Sequence, residues 1–344
     1  MIKVLIVDDS ALVRQILISV FDSDDEFEVV GAAEHPLQAR QMIKELHPDV
    51  LTLDIEMPEM DGLSFLEKIM ALRPMPVVMI SSLTQRGTAQ SLRALELGVC
   101  DIVGKPNYDL QKNFGAMRQE ILSKVKAASL AKIRPPAYLT KHLTKKAEVK
   151  SAVDLIVIGA STGGVVAIKD VLPLLPEGSP PIVVVQHMPE AYTEGFASRL
   201  DMQCRVTVRE SADKMPLETG TAYIAHGGKH IRVARKAIGY ELVHSDEGNV
   251  SGHKPSVDVL FESVAENFSG VVVAVMLTGM GRDGARGMLA LRRGGAHTIG
   301  QSEDSCVVYG MPRVAKEVGG VTEELSLSKI ASAIEAQCWP AKEK

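Results

Sequence analysis

Residues 154–164 read D-L-I-V-I-G-A-S-T-G-G, an apolar run that stops abruptly at a serine set among glycines. The unbroken run 155–158 suits a strand buried on both faces of a parallel sheet. Gly159, Gly163 and Gly164 permit a sharp turn and close backbone approach before a helix expected over 165–175. That reading places Ser161 on the rim of the sheet. The letters also fit G-x-S-x-G, the spacing of a nucleophile elbow, which exposes a hydroxyl beside N–H groups able to bind an oxyanion. A glycine-rich strand-to-helix turn serves equally well to bind phosphate or simply to pack, so the motif alone leaves the role of Ser161 open.

Outward from this stretch, residues 180–189, P-P-I-V-V-V-Q-H-M-P, form a second continuous apolar strand ending in His187. A strand expected over 271–277 runs into T-G-M-G-R-D-G, which carries Asp283. If the three strands are parallel neighbours, a hydroxyl, an imidazole and a carboxylate share one rim. Those are the parts of a nucleophile, its base and the group orienting that base. The chain has nine histidines, and only His187 repeats the strand-end placement of Ser161. His226 and His230 lie around the turn A-H-G-G-K-H, His244 falls among charges, His253 precedes Lys254 and Pro255, and His297 can face the core. These five read as structural or surface histidines. Asp283 has a plain alternative as the cap of a helix over 284–293. The order Ser, His, Asp differs from that of ordinary α/β-hydrolases, and G-x-G-x-x-G is absent from the first turn, so neither that fold nor dinucleotide binding is assigned.

The first part of the chain has a different character. Strands are expected over 2–7, 27–31, 49–53, 76–80 and 101–103. They alternate with helices over 11–21, 37–46, 63–72 and 87–97, with Ser10 placed to cap the first helix. Five strands alternating with helices imply a doubly wound parallel sheet, a flavodoxin-like α/β arrangement. Loops at the C-terminal strand ends converge on one crevice. There the chain places Asp8 and Asp9 after strand one, Asp54 after strand three, Ser81 and Ser82 after strand four and Lys105 at strand five. Three carboxylates on one rim repel unless a cation joins them, and a hard divalent ion such as Mg2+ suits oxygen ligands. A lysine and a hydroxyl beside them suit a phosphoryl group.

At 344 residues, with 46% apolar side chains, two well-packed domains are the default expectation. A net charge of -5 argues against nucleic acid as the main partner. Residues 126–150 lose the hydrophobic period, contain Pro135 and Pro136 and are basic, which reads either as a solvated tether or as a docking site for an acidic partner. Cys100, Cys204, Cys306 and Cys338 show no metal or redox spacing and read as reduced thiols. With no signal-peptide pattern and no apolar stretch of roughly 20 residues, a cytoplasmic protein not inserted in a membrane is expected.

Residues 2–125 resemble the receiver domain of two-component response regulators. The resemblance implies Asp54 as phospho-acceptor, Asp9 and Asp54 as direct Mg2+ ligands and Asp8 as an acid acting through water. It further implies the Glu56 backbone carbonyl as a ligand, Ser81 as the switch hydroxyl and Lys105 as the cation on the phosphoryl group. Ile102 stands where many receivers carry a switch aromatic, which implies switching by packing. Residues 154–321 closely resemble the catalytic domain of chemotaxis protein-glutamate methylesterases, through G-A-S-T-G-G, V-V-Q-H-M-P, H-K-P-S-V-D-V-L-F, L-T-G-M-G-R-D-G and S-C-V-V-Y-G-M-P-R. By that resemblance Ser161 is the nucleophile, His187 the general base, Asp283 its orienting acid and the Met280 backbone N–H an oxyanion donor. His226 stands where a proline is usual.

The organisation implied is a receiver over 1–125, a linker over 126–150 and a catalytic domain over 151–344. The implied function is a phosphorylation-activated hydrolase of γ-glutamyl methyl esters on chemoreceptors, with glutamine deamidation as an associated activity and no cofactor for the ester step. Its partners would be methyl-accepting chemoreceptors at receptor arrays and a histidine kinase as phosphodonor. The competing expectation is a receiver-coupled, non-catalytic binding or regulatory module. A third is a cytosolic hydrolase of small esters.

Overall fold

Largely apolar runs of four to six residues become the central strands of both parallel sheets, and the turns that follow them carry the polar groups. The computed structural model describes residues 1–57, 62–82, 85–105, 110–133 and 151–340. The chain divides into two units, Met1–Ala137 and Tyr138–Lys344.

In the first unit the strands are β1 (Ile2–Val7), β2 (Phe27–Ala33), β3 (Val50–Leu53), β4 (Val77–Ser82) and β5 (Asp101–Lys105). They form one sheet in the order β2-β1-β3-β4-β5, with every pairing parallel. All four residues of β3 are buried, as a strand covered on both faces requires. Helices Ala11–Asp22, Pro36–Leu46, Gly62–Leu72, Gln85–Glu96 and Leu110–Ser129 connect and follow the strands. Ser10 caps the first helix, its hydroxyl accepting from the Val13 N–H. β4 and β5 run further than their sequence pattern suggests. Ser81 therefore pairs with Gly104 inside the ladder, and Lys105 is the last residue of its strand. The expected linker, 126–150, begins inside the helix Leu110–Ser129. Its later part, with Pro135, Pro136 and most of its lysines, lies outside the described residues.

The second unit contains β6 (Leu155–Ala160), β7 (Ile182–Gln186), β8 (Thr207–Glu210), β9 (Met215–Pro216), β10 (Thr221–Ile224), β11 (His230–Arg235), β12 (Tyr240–Ser245), β13 (Val272–Met276), β14 (His297–Gln301) and β15 (Glu323–Leu325). Seven of them form a wholly parallel sheet, β15-β14-β13-β6-β7-β10-β8. A separate three-stranded antiparallel sheet, β11-β12-β9, contributes Ile231, Val233 and Leu242 to the core. From β6 the chain builds outward on one side through β7, then returns to the other side as β13. The order therefore reverses between β6 and β13, the kind of point at which open parallel sheets form a crevice.

Close approach fixes the packing there. A Cβ on Gly159 would come 2.3 Å from Val257 Cγ1, so the helix Val257–Asn267 lies directly against β6. The helix after Ser161 is shorter than its apolar pattern suggests. It spans Gly164–Val171 and gives way to a 3-10 turn, Leu172–Leu174, where Pro173 has no N–H to continue the helical ladder. Among the described residues no helix is long and apolar enough to cross a membrane.

Candidate active site

Ser161 is the first residue past β6. Its N–H donates to Thr278 O at 3.0 Å, and its own carbonyl accepts from Gly164 N at 2.7 Å, closing the turn. Gly163 takes a φ of 78°, where a side chain would be strained and would also strike Val307. A Cβ on Gly164 would fall 2.1 Å from Gln186 Oε1. These glycines let the buried amide of Gln186 slide beneath the turn, where its Nε2 donates to Ser161 O at 3.0 Å and to His187 O at 3.1 Å. One side chain thus ties together the two strand ends that carry the serine and the histidine.

His187 follows β7, and its N–H donates to Ala160 O. Its ring Nε2 lies 2.8 Å from Asp283 Oδ2, across 96 residues of sequence. Asp283 is 1% exposed and is held from a second direction by the start of the helix Val257–Asn267. Ser256 Oγ donates to Oδ1 at 2.7 Å, Val257 N–H to Oδ2 at 2.7 Å and Asp258 N–H to Oδ1 at 3.2 Å. Burial works to raise this carboxyl. The His187 ring, the Ser256 hydroxyl and the Val257 amide outweigh it and hold Asp283 below its ordinary value. A charged carboxylate at a helix N-terminus is also favoured by the helix dipole. Asp283 therefore does not cap the helix Ala285–Arg293 that follows it, whose cap is Gly284; its oxygens serve a different helix and His187.

The ring nitrogen on the other side, His187 Nδ1, is buried and has no hydrogen-bond partner among the described residues. It is therefore not bonded to the Ser161 hydroxyl, a common state of such sites before substrate arrives. The loop after β13 completes the rim. Gly279 N–H donates to Val308 O, and Gly279 O accepts from Gly310 and Met311. A Cβ on Gly279 would come 2.8 Å from Ser161 Cβ, so this loop passes against the serine. Met280 follows with its N–H making no backbone hydrogen bond among the described residues.

Of the other histidines, His230 is fully buried: its Nδ1 accepts from Ser256 N–H, and its Nε2 lies 3.0 Å from Gly248 O. His244 shares the Ser211 hydroxyl, and His226 lies against Gly227 O. His297 pairs with Glu323 at the end of β14. His253 has a position that its sequence context does not reveal. Its ring is stacked on that of His187, with centroids 3.7 Å apart and planes 11° apart. The motif H-K-P-S-V-D carries both His253 and the Ser256 clamp, yet nothing in its spacing shows that it folds back onto the histidine and carboxylate.

The first unit builds a different rim. Carboxylate oxygens of Asp8, Asp9 and Asp54 lie within 4.8 Å of one another. Lys105 Nζ bridges Asp8 Oδ2 at 2.8 Å and Asp54 Oδ2 at 2.7 Å. Burial pushes the Asp54 carboxyl up to about 6; Lys105 pulls it down and the Asp8 charge adds to the rise. Asp8 is raised as well, chiefly by burial. Burial disfavours the Lys105 charge, but the two carboxylates dominate and raise its value. Glu56 N–H donates to Asp54 Oδ1, and Ser81 Oγ is buried with no partner among the described residues. Three carboxylates within reach of one another, with Asp8 and Asp54 raised by burial, fit a divalent cation. Ile102 is buried in β5, its carbonyl accepting from Lys124.

Known proteins share both halves. Residues 156–334 match the CheB methylesterase family, and residues 4–113 match the response regulator receiver domain. The protein-glutamate methylesterase/protein-glutamine glutaminase of Salmonella typhimurium is 50% identical over 331 residues, 96% of this chain and 95% of its own length. A protein-glutamate methylesterase/protein-glutamine glutaminase of Caulobacter vibrioides is 51% identical over 337 residues, 97% of each chain. The crystal structure of the Thermotoga maritima CheB methylesterase catalytic domain matches with a TM-score of 0.52 and 34% identity, covering 53% of this chain and 97% of that one.

Proposed function

This chain belongs to the CheB methylesterase family and carries a response regulator receiver domain, and from that premise we propose that Ser161, His187 and Asp283 hydrolyse γ-methyl glutamyl esters on chemoreceptors. The observation that carries this reading is the buried His187–Asp283 pair next to the strand end that bears Ser161. His187 Nδ1 takes the hydroxyl proton as Ser161 Oγ attacks the ester carbonyl carbon, while Nε2–H stays on Asp283 Oδ2. The oxyanion forms against the Met280 N–H, a donor of a kind worth roughly 3 to 4 kcal/mol in such sites. The tetrahedral centre collapses, Nδ1–H protonates the departing methoxide, and methanol leaves. Water then attacks the glutamyl-serine ester, giving its proton to Nδ1, and the receptor carboxylate is released as Oγ is reprotonated. The same steps applied to a glutamine side chain release ammonia, the second activity in the relatives' names.

In the receiver, Asp54 is the phospho-acceptor, with a chemotaxis histidine kinase as phosphodonor. Asp8, Asp9, Asp54 and the Glu56 carbonyl would hold Mg2+, whose charge offsets that of the incoming phosphoryl group. Lys105 and the Ser81 hydroxyl contact its oxygens, and phosphorylation raises the activity of the esterase. The protein acts in the cytoplasm, where it meets the receptor arrays. The expectation of a non-catalytic regulatory module gives way, since relatives matching nearly the whole chain bear enzyme names.

The test is methanol release from methylated chemoreceptor membranes, with wild type and Ser161→Ala, each with and without a small-molecule phosphodonor and Mg2+. Release that requires Ser161 and rises with the phosphodonor is expected. Undiminished release by Ser161→Ala would remove the serine from the mechanism.

A further inference from the structure

His187 is anchored at one nitrogen only. Its Nε2 meets Asp283 Oδ2, while Nδ1 has no partner among the described residues. A single hydrogen bond fixes where one atom lies and leaves the ring free to tilt about that bond, since the terminal torsion of a histidine side chain has a broad energy well. Productive proton transfer needs more than this, because a base must lie within hydrogen-bond reach of the proton it takes and in line with it.

His253 supplies a contact of the right kind. Its ring covers that of His187 nearly in parallel, at 3.7 Å between centroids and 11° between planes. The backbone beneath it is fixed. His253 N–H donates to Val250 O, Val250 N–H donates to His253 O, and the neighbouring Lys254 O accepts from Gly228 N–H. Ser251 and Gly252 make the tight turn between them with φ of 54° and 86°. The same segment goes on within three residues to Ser256, whose hydroxyl donates to Asp283. One short loop therefore addresses both the face of the histidine and the carboxylate that holds its edge.

We propose that His253 is a positioning residue for the general base: a flat platform that sets the plane of the His187 ring and so presents Nδ1 to the Ser161 hydroxyl. This rests on the reading of Ser161, His187 and Asp283 as the catalytic set. The platform acts through its face. His253 transfers no proton in this role, and the feature the role requires is the flat ring laid against His187. It is half-buried, so replacing it opens no large cavity in the core.

Four variants of the full chain, Ser161→Ala, His253→Ala, His253→Leu and His253→Phe, separate these statements. Each is assayed for kcat and KM of methanol release from methylated receptor membranes in the presence of phosphodonor and Mg2+. Folding is followed through the fluorescence of Trp339, the single tryptophan. His253→Ala and His253→Leu are expected to lower kcat by about 10- to 100-fold with KM within about twofold of wild type, the scale of a misplaced catalytic group. His253→Phe, which keeps a flat ring and loses both nitrogens, is expected to restore kcat to within about threefold of wild type. Wild-type kcat in His253→Ala or His253→Leu overturns the proposal, because neither keeps a flat face. So does a folded His253→Phe as slow as His253→Ala, because a nitrogen would then be required. A Ser161→Ala protein that still releases methanol defeats the underlying catalytic reading instead, whatever the His253 variants do.

Discussion

Both units place an aspartate at the C-terminal edge of a parallel sheet, beside the point where strand order reverses, and they treat its charge in opposite ways. At the first rim Asp54 shares a buried crevice with Asp8, and burial pushes its carboxyl up to about 6 although Lys105 touches both. At the second, burial likewise works to raise Asp283, but the His187 ring, the Ser256 hydroxyl and the Val257 amide at a helix start are aimed at its oxygens and hold it below its ordinary value. The lesson is that depth alone does not set the state of a carboxylate. Donors aimed at the charged form decide whether burial is tolerated. A crowded, elevated carboxyl suits a site built to take up a cation and a phosphoryl group. A depressed, fully satisfied one suits a group that stays ionised while it orients a histidine.

The contrast breaks most visibly at Asp283. Asp283→Asn should lower methanol release by about 1,000- to 10,000-fold, because an amide favours the wrong histidine tautomer and leaves the donors around it poorly matched. It should also destabilise the second unit, measured by thermal melting followed through Trp339. A melt unchanged from wild type would show that the three donors do not depend on the charge.

Asp54→Asn is the counterpart. It should abolish the phosphodonor-dependent rise in methanol release, a rise of roughly tenfold for a shift of about 1.4 kcal/mol between two states. With Mg2+ removed by a chelator at neutral pH, it should stabilise the first unit instead of weakening it, since it removes a charge that burial disfavours. Calorimetry of the full chain checks this, and destabilisation equal to that of Asp283→Asn would erase the distinction between the rims.

A milder change tests how the second rim is held. Gln186→Leu removes the amide that joins the carbonyls of Ser161 and His187, and should lower kcat by about tenfold with little change in KM. An equal rise in KM would place its effect on substrate binding.

The smallest effect is in the pH dependence of stability without Mg2+, and here the two aspartates carry opposite signs. Asp54 has its folded value raised, so the stability it contributes is fully present below the unfolded value, near 3.8, and is lost as pH rises through about 6. Asp283 has its folded value lowered, so its contribution is present above the ordinary carboxylate range and is lost only as pH falls below it. Between about pH 4 and 7 the first unit should lose on the order of 1 to 2 kcal/mol that Asp54→Asn does not lose. The Asp283 contribution should stay constant over that window. Denaturant titrations at several pH values measure both.

Much of this architecture is legible in the sequence. Ser161, His187, Asp8, Asp9, Asp54 and Lys105 each lie at or just past the end of a continuous apolar run, and in a parallel sheet that local pattern is sufficient to put them on one edge. Ile102, by contrast, is recognisable as a departure in sequence, but its burial in β5 needs the fold. The antiparallel sheet of β9, β11 and β12 leaves a weaker signal, because its strands are short or half-exposed and surrounded by charge. The end of the helix after Ser161 is hidden because its apolar pattern continues past the residue where Pro173 changes the backbone.

By itself, then, the sequence determined the first parallel sheet, the three strands β6, β7 and β13 of the second, the family and the residues that occupy each rim, since these depend on periodicity and short motifs within a few residues of one another; β8, β10, β14 and β15 came only from the fold. Tertiary structure alone decided which nitrogen of His187 meets Asp283, that Ser256 clamps that carboxylate, that Gln186 ties two strand ends together and that His253 lies flat against the histidine. Those contacts join segments distant in the chain, and their geometry depends on rotamers and on glycines that admit a neighbour's side chain, neither of which leaves a period in the sequence.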